Sequence, residues 1–213
     1  MTRPRVLLAD DHTIVLQGLR GLIEDEFECV GTAADGMELL VKALELKPDC
    51  IVTDITMPLL NGIDACRKLR AEGCEAQFVF LTMHRDAVYA TRALEAGASA
   101  YVLKHSASEE LVQAIHAALR GERHLSAQLA LPRVEDYIEG GRTGGRAAIE
   151  LTQRQRDVLQ LLAEGKSAKE VGSILNISAR TVETHKYKMM DILGLKTTAE
   201  LVQLAIRHGL VGN

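Results

Sequence analysis

Five polar residues stand at the ends of short apolar runs. Asp10 and Asp11 follow "RVLLA", Asp54 follows "CIVT", Thr82 closes "QFVFLT" and Lys104 closes "AYVLK". A carboxylate ending a buried run is costly unless it has a partner or a task. Three carboxylates gathered in one place repel, and at least one is pushed toward protonation unless a cation intervenes. A hard divalent ion such as Mg2+ resolves this, because it takes carboxylate and carbonyl oxygens and keeps several waters. It also leaves an open position for a phosphoryl oxygen. Lys104 offers a point positive charge to a second oxygen, and the Thr82 hydroxyl a donor to a third. Asp54, the central carboxylate, is then placed to act as a nucleophile and become an aspartyl phosphate.

That chemistry needs all five groups on one edge of a scaffold. Five runs, "RVLLA", "FECVGTAA", "CIVTD", "QFVFLT" and "AYVLK", alternate with stretches of helical spacing. Ile14, Leu16, Leu19, Leu22 and Ile23 mark the first helix; Leu39, Leu40, Ala43 and Leu44 mark the second. Leu111, Val112, Ile115 and Leu119 mark the last, with a capping box from Ser106 to Glu109. The alternation predicts an α/β fold, a doubly wound five-stranded parallel sheet with helices on both faces. The three inner runs are almost continuously apolar, as strands covered on both sides should be. Ligands of such sheets bind beyond the carboxyl ends of the strands, at the switch point in strand order. The five polar groups all fall there.

Charge divides along the chain. Residues 1–120 hold 12 Lys/Arg against 18 Asp/Glu, whereas residues 150–213 hold 9 against 7. An acidic first part and a mildly basic last part suggest two tasks, one favouring cations and one anions. Cys29, Cys50, Cys66 and Cys74 form no C-x-x-C and read as small buried hydrophobes in a reducing compartment. No apolar run approaches the roughly 20 residues needed to cross a bilayer, so the expected location is cytoplasmic. "HLSAQLALPRVEDYI" reads as a short helix broken at Pro132, and "EGGRTGGRAA" as a flexible linker. The expected domains are 1–121, a linker over 122–148, and 149–213.

From Leu151 onward the pattern is all helix. Capping boxes recur at Thr152–Gln155, Ser167–Glu170 and Thr197–Glu200, and Ser178 can cap a further helix. The second and third of these four helices, joined by Asn176-Ile177, have the short turn of a helix-turn-helix. The third, "SARTVETHKYKMMDILGL", places Val182, His185, Met189, Ile192 and Leu193 on one buried side, with His185 read as a core histidine. Its other side shows Arg180, Glu183, Thr184, Lys186, Tyr187 and Lys188. A recognition helix needs this mixture of cations for phosphates and polar tips for base edges. Lys186 and Lys188 suit either bases or phosphates; Arg180, Thr181 and Lys196 suit phosphates. Such a small domain presents little surface to DNA, so a homodimer on two half-sites is expected. The last helix carries Leu201, Leu204 and Ala205 on one side, equally suited to pairing with a copy or to closing the helical core.

The motifs "LLADDH", "DITMPLLNG", "LTMH" and "AYVLKHS" resemble the receiver domain of bacterial two-component response regulators. "LTQRQRDVLQLLAEGKSAKEVGSILNISARTVETHKYKMMDILGL" resembles the DNA-binding domain of their LuxR-type (NarL/FixJ) subclass. The resemblance covers nearly all of the chain outside the linker. It implies a flavodoxin-like strand order 2-1-3-4-5, and Asp54 as acceptor of a phosphoryl group from a sensor histidine kinase. It implies Asp10 and Asp11 as the acidic pair, with Asp11, Asp54 and the Thr56 carbonyl on Mg2+. Thr82 and Lys104 would contact the phosphoryl group, Tyr101 would be the aromatic switch, and Thr56 and His84 would tune hydrolysis of the acyl phosphate. Glu183, Thr184 and Tyr187 would read bases, and the last helix would help form the dimer. The implied product is a phosphorylation-controlled transcriptional regulator rather than an enzyme, binding double-stranded promoter DNA.

One departure is local. Many receivers have Lys-Pro after the fifth strand, often cis, whereas this chain has Lys104-His105; a cis bond there would cost about 3 kcal/mol. Two other readings differ in class. A phosphatase of the haloacid dehalogenase type would want an Asp two residues beyond its nucleophile, and Thr56 is not one. A phosphorylation-independent DNA binder with a decayed receiver would not keep five intact pocket residues.

Overall fold

The five apolar runs form strands, each closed into a parallel ladder. They are β1 (Arg5–Ala9), β2 (Glu28–Ala33), β3 (Cys50–Thr53), β4 (Gln77–Thr82) and β5 (Ala100–Leu103). Between them run α1 (Thr13–Ile23), α2 (Gly36–Leu46), α3 (Gly62–Ala71) and α4 (Ala87–Glu95), and α5 (Ala107–Leu119) follows. The computed structural model describes residues 2–85, 87–129 and 151–207. The chain divides into two units.

In the first unit every residue of β3 and β5 is buried, as the continuous apolar runs require. Alternate strand residues feed two cores. Val6, Leu8, Val52 and Val79 meet Leu16, Leu19 and Ile23 of α1 and Leu111 and Ile115 of α5. Leu7, Ile51, Phe78 and Phe80 meet α2, α3 and α4 on the other face. Ile14 lies outside this scheme and is exposed.

The sheet order is β2-β1-β3-β4-β5-β6. The expected order therefore holds, but the sheet has six strands, not five. The added β6 (His124–Leu125) pairs parallel with β5 and lies in the stretch read as linker. Two residues give no usable periodicity, so only tertiary pairing defines the strand. The proposed broken helix at Pro132 and the glycine-rich stretch lie outside the described residues.

At the end of β5 the cis geometry common in the family is not kept, and one local expectation fails. The Lys104–His105 peptide is trans, with no cis bond among the described residues. A 3-10 turn over Lys104–Ser106 leads into α5 instead, and Ser106 makes no side-chain cap bond. The turn already occupies the backbone where a capping box would start.

The second unit holds α6 (Gln153–Ala163), α7 (Ala168–Leu175), α8 (Ala179–Ile192) and α9 (Thr198–Arg207). Thr152–Gln155 and Ser167–Glu170 form reciprocal capping boxes, and Glu200 accepts from the Thr197 N–H while its own N–H reaches Thr197 Oγ1. Asn176 ends α7 in the left-handed conformation, and the Ile177 N–H bonds back to the Gly172 carbonyl at 2.9 Å. A Cβ on Gly172 would lie 2.6 Å from the Ile177 carbonyl oxygen, so this tight turn needs glycine. Leu201 and Ala205 are fully buried within the unit, where α9 packs on α6 and α8.

Candidate functional site

Strand register brings the acidic residues together. The Asp10 N–H donates to the Ala33 carbonyl at 3.0 Å, and the Asp54 N–H to the Ala9 carbonyl at 2.9 Å. Each strand thus runs one residue past its ladder and leaves its carboxylate at the sheet edge. Behind Asp54, the Gly62 N–H donates to the Ile55 carbonyl at 2.8 Å. A Cβ on Gly62 would sit 2.0 Å from the Asp54 carbonyl oxygen, so α3 starts this close only because the residue is glycine.

Asp10 and Asp54 are 1% and 6% exposed. Lys104 Nζ hydrogen-bonds Asp54 Oδ2 at 2.7 Å and forms an ion pair with Asp10 Oδ2 at 2.6 Å. Asp54 Oδ1 accepts from the Ile55 N–H at 2.6 Å. Asp10 Oδ1 accepts from the His12 N–H at 2.9 Å. Burial pushes the Asp54 carboxyl above its usual range, and the opposing pull of Lys104 does not cancel this. Burial lowers the Lys104 ammonium, but Asp54 and Asp10 together outweigh it and hold its pKa up.

One lysine therefore faces two buried carboxylates, with Asp11 beside them. His12 Nδ1 lies 2.9 Å from Asp11 Oδ1 and 3.2 Å from Asp10 Oδ1, and the ligand atoms of Asp10, Asp11 and His12 fall within 4.8 Å of one another. With two buried carboxylates on one ammonium and a third, Asp11, beside them, this oxygen-rich cluster fits a hard divalent cation. His12 was not among the residues expected here, although its place directly after two acids was an available signal.

The rest of the pocket converges on one histidine. Thr82 is fully buried, and its Oγ1 accepts from the His84 N–H at 3.3 Å. His84 Nε2 lies 2.8 Å from Thr56 Oγ1. The buried Tyr101 hydroxyl donates to the His84 carbonyl at 2.9 Å. Tyr89 of α4 stacks on the His84 ring, centroids 4.0 Å apart at 12°. Tyr89 had no readable signal, since only the folded β4–α4 loop brings it there.

In the second unit α8 presents Arg180, Thr181, Thr184, Tyr187 and Lys188 to solvent, and Lys196 beyond it is also exposed. Tyr187 is 60% exposed. Glu183 and Lys186 are half-buried and pair with each other at 2.5 Å, and the Lys186 ammonium lies 4.8 Å above the Tyr187 ring. The buried stripe of α8 runs through Val182, Met189 and Met190. Expected inward, Ile192 is 68% exposed and His185 only half-buried. The stripe is rotated toward Met190, which draws the Lys186 stem in and leaves Ile192 out.

Residues 6–116 match the response regulator receiver domain family, and residues 150–205 match the bacterial regulatory proteins of the luxR family. The chain belongs to the response regulators, as a receiver domain coupled to a LuxR-type helix-turn-helix domain. Over 209 residues it is 36% identical to the transcriptional regulatory protein MctR of Rhizobium johnstonii, covering 97% of this chain and 95% of that one. The RcsB response regulator of Salmonella typhimurium matches at a TM-score of 0.66 and 26% identity, covering 96% and 97% of the two chains. A structure of two RcsB dimers bound to two parallel DNAs matches at 0.59 and 26%, covering 95% and 97%.

Proposed function

We propose that Asp54 accepts a phosphoryl group from a sensor histidine kinase, with Mg2+ held by Asp10, Asp11, Asp54 and the Thr56 carbonyl, and that this controls binding of promoter DNA by a dimer. The observation that carries the reading is the contact of Lys104 with Asp54 and Asp10 at one buried sheet edge. The bound cation would neutralise phosphoryl oxygens during transfer. Asp54 Oδ2 is the attacking oxygen: it forms the new O–P bond as the P–N bond to the kinase histidine breaks, while Oδ1 stays with the Ile55 N–H. Lys104 then exchanges its carboxylate partner for a phosphoryl oxygen, and Thr82 turns its hydroxyl from the His84 N–H toward another. Tyr101 and His84 follow, since both are tied to that loop. Thr56 and His84 together cover one approach to the acyl phosphate and set its lifetime.

On the second unit, Glu183, Thr184 and Tyr187 read base edges, and Arg180, Thr181, Lys188 and Lys196 meet phosphates. Lys186 acts through Glu183 and Tyr187 rather than as a free cation. RcsB, similar over nearly the whole chain, was solved as dimers on DNA. Among the described residues no helix is long and apolar enough to cross a membrane, which agrees with a cytoplasmic regulator. Acetyl phosphate with Mg2+, followed by intact mass measurement, tests the acceptor. Wild type gains one phosphoryl mass and Asp54→Ala gains none; equal gains would refute the assignment.

A further inference from the structure

We infer that residues 124–129, the short sixth strand and the turn after it, carry the state of the acidic pocket into the chain that leads to the second unit. The inference rests on the reading of Asp54 as phosphoryl acceptor. It begins from where this segment is fastened. Leu125 pairs with Tyr101, and the Ser126 N–H donates to the Tyr101 carbonyl at 2.9 Å. Ser126 is fully buried; its Oγ accepts from the Leu103 N–H at 3.2 Å and donates to Glu110 of α5. His124 Nε2 stands 3.4 Å from the same Glu110 oxygen. His105, one residue after Lys104, hydrogen-bonds Gln128. Leu129 is buried, and its N–H reaches the Ser126 carbonyl at 3.0 Å.

These ties grip β5 at Tyr101 and Leu103 and the following turn at His105. Two pocket residues, Tyr101 and Lys104, belong to that same stretch. Lys104 reaches into the pocket while its neighbour His105 holds Gln128. A phosphoryl group that takes Lys104 from its carboxylate partners shifts the turn over Lys104–Ser106 with it and works against the His105–Gln128 bond. The buried Ser126 hydroxyl has two partners on two different elements, β5 and α5, so a shift of one against the other breaks a bond rather than stretching it. This doubly tied hydroxyl is the element that the phosphoryl group would bias. The segment is also the last described part of the first unit before the second.

Hydrogen exchange by mass spectrometry on the full chain, with and without Mg2+ and beryllofluoride, tests this. In wild type, amides near Asp54 slow, whereas those of Leu125–Leu129 exchange about fivefold faster, a factor at the low end of typical coupling between sites. The exchange of residues 151–207 shifts as well. Ser126→Ala leaves the slowing near Asp54 but removes the response of 125–129 and 151–207. Gln128 is exposed, so Gln128→Ala keeps the core intact and reports even if Ser126→Ala fails to fold. It at least halves both responses. A pocket response with unchanged exchange at 125–129, or a wild-type response in Gln128→Ala, overturns this inference alone. No response anywhere in wild type removes the acceptor reading and this inference with it.

Discussion

Lys104 Nζ stands 2.7 Å from Asp54 Oδ2, and the same ammonium lies 2.6 Å from Asp10 Oδ2. A single cation thus holds two buried carboxylates. Its removal strands both, whereas removal of Asp54 leaves one ion pair intact. Lys104→Met should lower stability in chelator by about 3 kcal/mol, the low end for breaking a buried pair. Asp54→Asn should raise it by on the order of 1 kcal/mol, because a buried charge is deleted while the Ile55 N–H keeps its acceptor. Urea denaturation in EDTA measures both. Added Mg2+ should stabilise wild type more than Asp54→Asn; equal shifts would contradict a shared metal and acceptor site.

Gly62→Ala should disable the pocket without replacing any of its polar side chains. The new methyl carbon would meet the Asp54 carbonyl oxygen at 2.0 Å, and only backbone movement can relieve that contact. The expected cost is about 1–3 kcal/mol, with acetyl phosphate labelling reduced alongside. Labelling at the wild-type rate would show that the close approach does not position Asp54.

The thiols give a pH-dependent test of the core. Burial pushes Cys50 and Cys66 up to about 12. Their folded pKa values lie above the unfolded value of about 8.5, so the folded state retains protons that the unfolded state releases. The stability they contribute is complete below about pH 8.5 and falls as pH rises beyond it. A thiol reagent at pH 8 should leave Cys50 and Cys66 unmodified in the native protein, while the half-buried Cys29 and Cys74 react slowly. Rapid native modification of Cys66 would contradict its place in the core.

On α8, Lys188→Ala should weaken binding to every duplex alike and reduce the salt slope by about 0.9. Tyr187→Ala should change which sequence is preferred in a selection from random duplexes, with the salt slope kept. Lys186→Ala should resemble Tyr187→Ala more than Lys188→Ala, because its ammonium is engaged with Glu183 and the Tyr187 ring. An equal loss of salt slope for Lys186 and Lys188 would make both phosphate contacts.

Much of this was legible in the chain because Asp10, Asp11, Asp54, Thr82 and Lys104 each close a strongly apolar run. Asp10, Asp54, Thr82 and Lys104 sit at strand ends, and parallel register leaves them few other places to go. The helix caps at Thr152, Ser167, Ser178 and Thr197 were local and could be read directly. What escaped was tertiary. The two-residue β6 exists only by pairing with β5, and the stacking of Tyr89 on His84 depends on a loop path. At Ser106 the local capping signal lost to a 3-10 turn, and on α8 a small rotation of the buried stripe moved Ile192 outward.

Phosphorylation of Asp54 can be located by trapping the acyl phosphate. Borohydride reduction after acetyl phosphate and Mg2+ treatment converts a phosphorylated aspartate to homoserine, which peptide mass spectrometry locates. Homoserine is expected at position 54. Homoserine at another aspartate, or none anywhere in a protein that has gained phosphoryl mass, would contradict it.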